Sequence, residues 1–351
     1  MPRSPRTTPR LPPLPGLIEQ KLTKSGYTRG ATVREIFQNR VTRNNTVLID
    51  LELWEQCRIP DDGAGSYENG SIALVPPSWY FERTDPDGDL AAKGLVVGDN
   101  ALLLFRRRDE WNRWGVGRSH LPNGRPFVAA SRRTAPLGGV YLARIHATVA
   151  GNDGGEIVAG YNTTASRGAG IRVYEYASTQ TIGATRLQLE ALIWLCHDSV
   201  EAMIAAGMAE ADVAARKQAV LASADAAGLL DLQRLRAARI VNAADETICP
   251  LCLTPLSATD FMRRGEQALG RETYDITITE LSLFHIQELR VGRLQHKPYN
   301  LGWGHHFCNV VVRDAGILPT LAWMTEVLAN QQRMGHDPVS EAASVEEAVD
   351  G

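Results

Sequence analysis

Four side chains, arranged as two close pairs, have the types and spacing that hold a metal ion. Cys249 and Cys252 stand three apart in ICPLC, and His305 and Cys308 stand three apart in GWGHHFCN. A Cys-x-x-Cys step suits a tight knuckle that turns both thiolates toward one tetrahedral zinc, which then needs a second pair of donors. His305-x-x-Cys308 is the candidate for that pair, with His306-x-Cys308 as the weaker alternative, and the expectation is a Cys3His zinc site. Cys57 and Cys196 bring the count of cysteines to five, an odd number that argues against a disulfide framework.

Between the pairs lies a different chemistry. ITITELSLFHIQEL reads as a strand run ending in His285, a turn-like RVGRLQHKP follows, and YNLGWGHHFCNVVVRD then carries Asn300, Asn309 and Arg313. Cleaving a phosphodiester with water needs a group that takes a proton near neutral pH, for which a neutral imidazole is suited. It also needs a divalent cation against the charge that develops on the phosphate, and magnesium takes hard oxygen donors such as an amide carbonyl. His285 fits the first role and Asn309 the second, while Arg313 can reach a phosphate or sit on the surface.

The order of these residues closely resembles the zinc-bearing HNH, or ββα-metal, nucleases. In that family a Cys-x-x-Cys knuckle precedes a strand ending in the catalytic His. A loop, an Asn-Leu dipeptide, a second zinc pair and a His or Asn directly after the last ligand follow. Here Asn300-Leu301 is followed by His305, Cys308 and Asn309 at the family's offsets, and the likeness covers about a quarter of the chain. The resemblance implies that His285 is the general base and that Cys249, Cys252, His305 and Cys308 hold a structural zinc. It also implies that Asn309 binds a catalytic magnesium, while Asn300 hydrogen-bonds to backbone and fixes the loop that presents His285. One position departs from the pattern. Most members carry Asp directly before the catalytic His, where this chain has Phe284, so a second metal ligand falls to Glu280, Glu288 or His306, or is lacking.

The rest of the chain must position this chemistry. Residues 1–16 are rich in Pro and Arg and read as a solvated basic arm. Residues 17–182 read as a mixed α/β DNA-recognition domain, opening with helical spacing around Ile18, Leu22, Val33, Ile36 and Phe37. From residue 46 to 180, short β-rich runs between Gly, Asp, Asn and Pro predict a mixed, mainly antiparallel sheet. Residues 183–242 carry apolar side chains at helical spacing and predict two or three helices forming a linker or dimerisation block. Residues 243–330 hold the zinc-stapled module, and the acidic, Ala- and Ser-rich residues 331–351 read as a disordered tail. The fold class expected is therefore α+β.

With a net charge of −3 the chain is no general nucleic-acid coat, so contact with DNA falls to local patches. The densest set of side chains suited to base edges and phosphates is Arg29, Arg34, Gln38, Asn39, Arg40, Arg43, Asn44 and Asn45. Arg106, Arg107 and Arg108 with Trp111 and Trp114 form a lesser candidate, as do His296 and Lys297. No apolar run is long enough to span a bilayer and no secretory leader is visible, so a cytoplasmic protein without a membrane partner is expected.

The stretches KSGYTRGATVREIFQNRVTRNNTVLI and LFHIQELRVGRLQHKPYNLGWGHHFCNVV, taken with the full layout, resemble the BstXI-type restriction endonucleases. That resemblance implies a bacterial Type II enzyme cutting double-stranded DNA at a split palindrome, acting as a homodimer because a two-fold site matches a two-fold protein. Two other classes remain open. A modification-dependent nuclease predicts an aromatic pocket in the β region, and a non-catalytic zinc protein that binds DNA predicts no cut at all.

Overall fold

The computed structural model describes residues 11–23, 46–105, 107–127, 143–145, 171–263, 265 and 279–336. They fall into two compact units. The first comprises the described residues of Met1–Thr42, Gly183–Leu289 and Lys297–Gly351, and opens with helix α1 (Gly16–Thr23). The second comprises those of Arg43–Ile182 and Arg290–His296.

The second unit is built on a parallel sheet of β1 (Val47–Asp50), β2 (Ser71–Val75), β3 (Ala101–Phe105), β4 (Ala143–Ile145) and β5 (Ile171–Arg172). The strand order is β4-β3-β2-β1-β5, and each neighbouring pair runs parallel. The mainly antiparallel sheet expected from the sequence is therefore corrected. The physical reason is visible in VLID, SIALV and ALLLF, which are near-continuous apolar runs rather than alternating ones. One face buries Val47, Ile49, Ala73, Val75, Ala101, Leu103 and Phe105, and the other buries Leu48, Ile72, Leu74, Leu102 and Leu104. A sheet covered on both faces is the setting of parallel strands, whose connections must cross over rather than turn back. Short helices α2 (Trp54–Cys57), α3 (Pro77–Phe81), α4 (Pro86–Ala91) and α5 (Arg108–Trp114) lie in those connections. At DPDGD helix α4 starts, with the Asp85 carboxylate accepting the Gly88 N–H at 3.0 Å and Pro86 in the first turn.

The first unit continues with α6 (Thr179–Trp194), of which Gly183 onward belongs here, then α7 (Ser199–Ala205), α8 (Glu210–Ala226) and α9 (Leu232–Ala237). Their apolar faces meet inside the unit, where Leu189, Leu192, Ile193, Trp194, Met203, Val213, Val220 and Leu235 are buried together with Ile18 and Leu22 of α1. Arg216 on α8 pairs with Glu190 on α6 at 2.7 Å and donates to the Pro12 carbonyl. Leu14 of the expected solvated arm is buried in the same core, whereas Leu11 and Pro13 are exposed and residues 1–10 lie outside the described residues.

Against this helical core lies an antiparallel pair, β6 (Leu281–His285) and β7 (Leu301–His305), followed without a break by α10 (His306–Val312) and then α11 (Ile317–Arg333). Helix α10 packs on both strands. Among the described residues no helix is long and apolar enough to cross a membrane.

Candidate metal centre and active site

The knuckle forms because the chain from Ile240 folds back on itself. Ile248 donates to Ile240, Cys249 donates to Thr254, and Leu253 donates to Cys249 while adopting a left-handed φ of 64°. Just beyond, the Asp198 carboxylate at the start of α7 accepts from Ser257 Oγ at 2.6 Å, from Thr259 Oγ1 at 3.0 Å and from the Ala258 N–H. Burial alone would raise this carboxyl, but the donated hydrogen bonds hold it below its ordinary value.

The two pairs of ligands meet. The donor atoms of Cys249, Cys252, His305 and Cys308 all lie within 4.8 Å of one another, and Cys252 Sγ stands 3.3 Å from His305 Nδ1. Zinc bonds of about 2.0–2.3 Å place any two ligands of one ion within roughly 4.6 Å, so the cluster has the donors and nearly the span of a tetrahedral site. The Cys308 thiol is pushed up by burial and by the neighbouring Cys249 and Cys252 sulfurs, a crowding that a cation relieves. Gly304 makes the close approach possible. A Cβ there would stand 2.5 Å from a ring carbon of Phe284 and 3.3 Å from Cys249 Sγ.

The hairpin register separates this cluster from His285. Leu281 pairs with His305 at one end and His285 with Leu301 at the other, so the strand carries His285 about 13 Å from the cluster end at roughly 3.3 Å per residue. The segment leaving His285 is held from both sides. Asn300, itself buried, accepts the Gln287 N–H through Oδ1 at 2.9 Å and the Ile286 N–H through its carbonyl at 3.0 Å. On the other side Ile317 donates to the Ile286 carbonyl at 3.1 Å and Leu289 donates to the Asp314 carbonyl at 3.0 Å. Gly316 lies between them at φ 82°, where a Cβ would meet the Glu288 nitrogen at 2.5 Å.

The hairpin is also fastened to the helical core. Tyr299 donates its N–H to Gln188 Oε1 at 2.7 Å and its hydroxyl to Gly228 at 2.6 Å, and Trp303 Nε1 donates to Leu189 at 2.9 Å. Lys21 of α1 is fully buried and donates to Thr279 Oγ1 and to the Leu281 carbonyl, each at 2.7 Å. Burial pushes its ammonium well below the ordinary lysine value. Gly304, Gly316 and Lys21 were not among the residues that motif spacing singled out. The glycines carry no side chain to notice, and a lone lysine in an amphipathic helix reads as solvated.

Of the sequence-expected residues, the structure brings together Cys249, Cys252, His305 and Cys308, and it places Asn300 against the backbone that follows His285. Asn309 is half-buried in α10, and Arg313 is exposed at its end with φ 49°. Glu280 and His306 lie at the cluster end, joined by the His306 N–H donating to the Glu280 carbonyl, whereas Glu288 and Asp314 lie at the His285 end. Phe284 is buried beneath Gly304 and offers no donor. His296 is buried and Lys297 is exposed. Arg29, Arg34, Gln38, Asn39, Arg40, Arg43, Asn44, Asn45 and Arg106 lie outside the described residues. Arg107 forms ion pairs with Asp109 and Glu110, both at 3.5 Å.

Compared with known proteins, the chain matches no curated protein and no solved structure at a significant level. The family model described as BstXI restriction endonuclease matches residues 20–306, well over half of the chain.

Proposed function

The chain belongs to the BstXI restriction endonuclease family, and from that premise we propose that it is a Type II restriction enzyme that hydrolyses double-stranded DNA at a specific site through an HNH-type module. The observation that carries the reading is the division of the β6–β7 hairpin. A Cys3His cluster ties one end to the knuckle and to α10, while His285 stands at the other end on backbone clamped by Asn300.

A shell of four protein donors leaves no open position, so a zinc there is structural: it fixes strand, knuckle and helix at set distances and takes no part in the hydrolysis. His285 takes the proton of the attacking water on its imidazole as the water oxygen bonds to phosphorus and the bridging ester oxygen departs. A divalent cation, magnesium in this reading, neutralises charge on the scissile phosphate and on the leaving oxygen when bound. Asn309 would hold it, with Glu288 as the companion that the hairpin register favours over Glu280 and His306, because Glu288 alone of these three lies at the His285 end. Asn300 is a positioning residue acting through backbone. Arg313 contacts a substrate phosphate.

Base recognition falls to Arg29, Arg34, Gln38, Asn39, Arg40, Arg43 and Asn44, side chains that pair with base edges and phosphates, in the segment that follows α1. A homodimer supplies one hairpin for each DNA strand.

The test is incubation of the purified protein with unmodified plasmid and phage DNA, with Mg²⁺ or with EDTA. Discrete Mg²⁺-dependent fragments with common ends are expected. Intact DNA in every lane, or an unspecific smear, would overturn the reading.

A further inference from the structure

Helix α11 begins inside its unit and ends outside it. Ile317 and Thr320 are buried, but the stripe they open continues at helical spacing through Leu321, Met324 and Leu328, of which Met324 is 37 % and Leu328 48 % exposed. Trp323, on the flank of the same stripe, is 55 % exposed. Glu326 and Arg333 are the charged residues of this helix. A helix that is apolar along one side and nearly uncharged on the rest is not built for water on all faces, and a contiguous apolar stripe of this kind marks a docking surface.

We propose that this stripe is where a second copy of the chain docks, α11 against α11 across a two-fold axis. Neither terminal segment outside the described residues matches the stripe. Residues 337–351, DPVSEAASVEEAVDG, are acidic and contain no apolar side chain larger than valine, a poor match for a seam of Leu, Met and Trp. Residues 1–10, MPRSPRTTPR, are basic and equally poor in apolar side chains. A two-fold interface brings the same patch of both copies together, so an apolar stripe meets an apolar stripe, and the two charges of the helix are of opposite sign, so an antiparallel pairing opposes no block of like charge. At 17 residues α11 is about 25 Å long, enough for a two-helix seam. The helical block 183–242 is the weaker surface, because Leu189, Leu192, Trp194, Met203, Val213 and Val220 are spent inside the unit. The use of such a dimer rests on the nuclease reading: among the described residues each chain carries one His285 hairpin, and a duplex has two strands to cut. The surface itself does not depend on that reading.

The test measures the mass of the zinc-loaded full chain by light scattering and sedimentation over a wide range of concentration. The same measurements are made on the double variant Met324→Glu, Leu328→Glu and on the milder Leu328→Ala. Circular dichroism and zinc content establish that each variant is folded. The wild type is expected to be a dimer. The double variant should be a folded monomer, or dissociate roughly a hundredfold more readily, and Leu328→Ala should shift in the same direction by about tenfold. On supercoiled plasmid the double variant should accumulate nicked circles where the wild type makes linear DNA. A wild type that stays monomeric, or a folded double variant that dimerises as tightly as wild type, overturns the proposal. If the wild type dimerises through α11 but cuts no DNA, the nuclease reading falls and the surface stands. If it cuts as a monomer, the reverse holds.

Discussion

Asn300 Oδ1 accepts the main-chain N–H of Gln287 at 2.9 Å, two residues beyond His285, and thereby joins the start of β7 to the end of β6 through a side chain rather than through the ladder alone. In the proposed mechanism a side chain spent on backbone in this way positions His285 without touching substrate. Asn300→Ala should lower stability by about 1 kcal/mol and reduce kcat by tenfold or more, with KM for DNA little changed. Asn300→Asp keeps an acceptor at this position and should recover much of the loss. Steady-state kinetics beside denaturant unfolding checks both, and an Ala variant with wild-type kcat would remove the positioning role.

The two glycines of β7 make opposite predictions. Gly304→Ala puts a methyl group 2.5 Å from Phe284 and 3.3 Å from Cys249 Sγ, so strand and knuckle must part. A loss of about 1–3 kcal/mol is expected, with zinc released faster to a chromogenic chelator. Gly302→Ala meets Ile240 at 3.5 Å, an ordinary contact, and should leave zinc release and thermal stability near wild type.

Asp198 fastens the chain beyond the knuckle, and its effect depends on pH in a defined direction. Its folded carboxyl is held below the ordinary value of 3.8, so its contribution to stability is present above that value and is lost as pH falls through the lower folded value. Asp198→Asn should therefore be less stable than wild type at neutral pH, and the gap should close in strong acid. Unfolding of both proteins across a pH series reads the gap directly.

Removing the two proposed metals should have different consequences. Withdrawing Mg²⁺ should stop cleavage while leaving circular dichroism and thermal stability unchanged. Extracting zinc with a strong chelator should loosen the hairpin itself and lower the unfolding temperature, because Cys249, Cys252, His305 and Cys308 join three separate elements. Elemental analysis should find a single zinc for the single cluster among the described residues.

The Cys3His cluster was legible because coordination chemistry constrains residue type and spacing together, and the strand ending at His285 was legible because Leu281, Leu283 and Phe284 lead up to the imidazole. The parallel sheet was not. Short β-rich runs between Gly, Asp, Asn and Pro in residues 46–180 read as a mainly antiparallel sheet, although the near-continuous apolar runs VLID and ALLLF already spoke for strands buried on both faces. Lys21 against Thr279 and Leu281, Gln188 against Tyr299, and Gly316 beneath Glu288 could not be read at all. Such contacts join residues far apart in sequence, and their types carry no signal until the fold brings them together.

In the proposed reaction His285 performs the chemistry while the cluster and clamp hold it. The most direct measurement is single-turnover cleavage by His285→Ala, with zinc content and DNA affinity determined on the same preparation. The variant should show wild-type zinc, near wild-type binding and a cleavage rate reduced by roughly 10²–10⁴-fold. Cleavage at the wild-type rate by a zinc-loaded, DNA-binding variant would contradict that role of His285 and move the reaction to another part of the molecule.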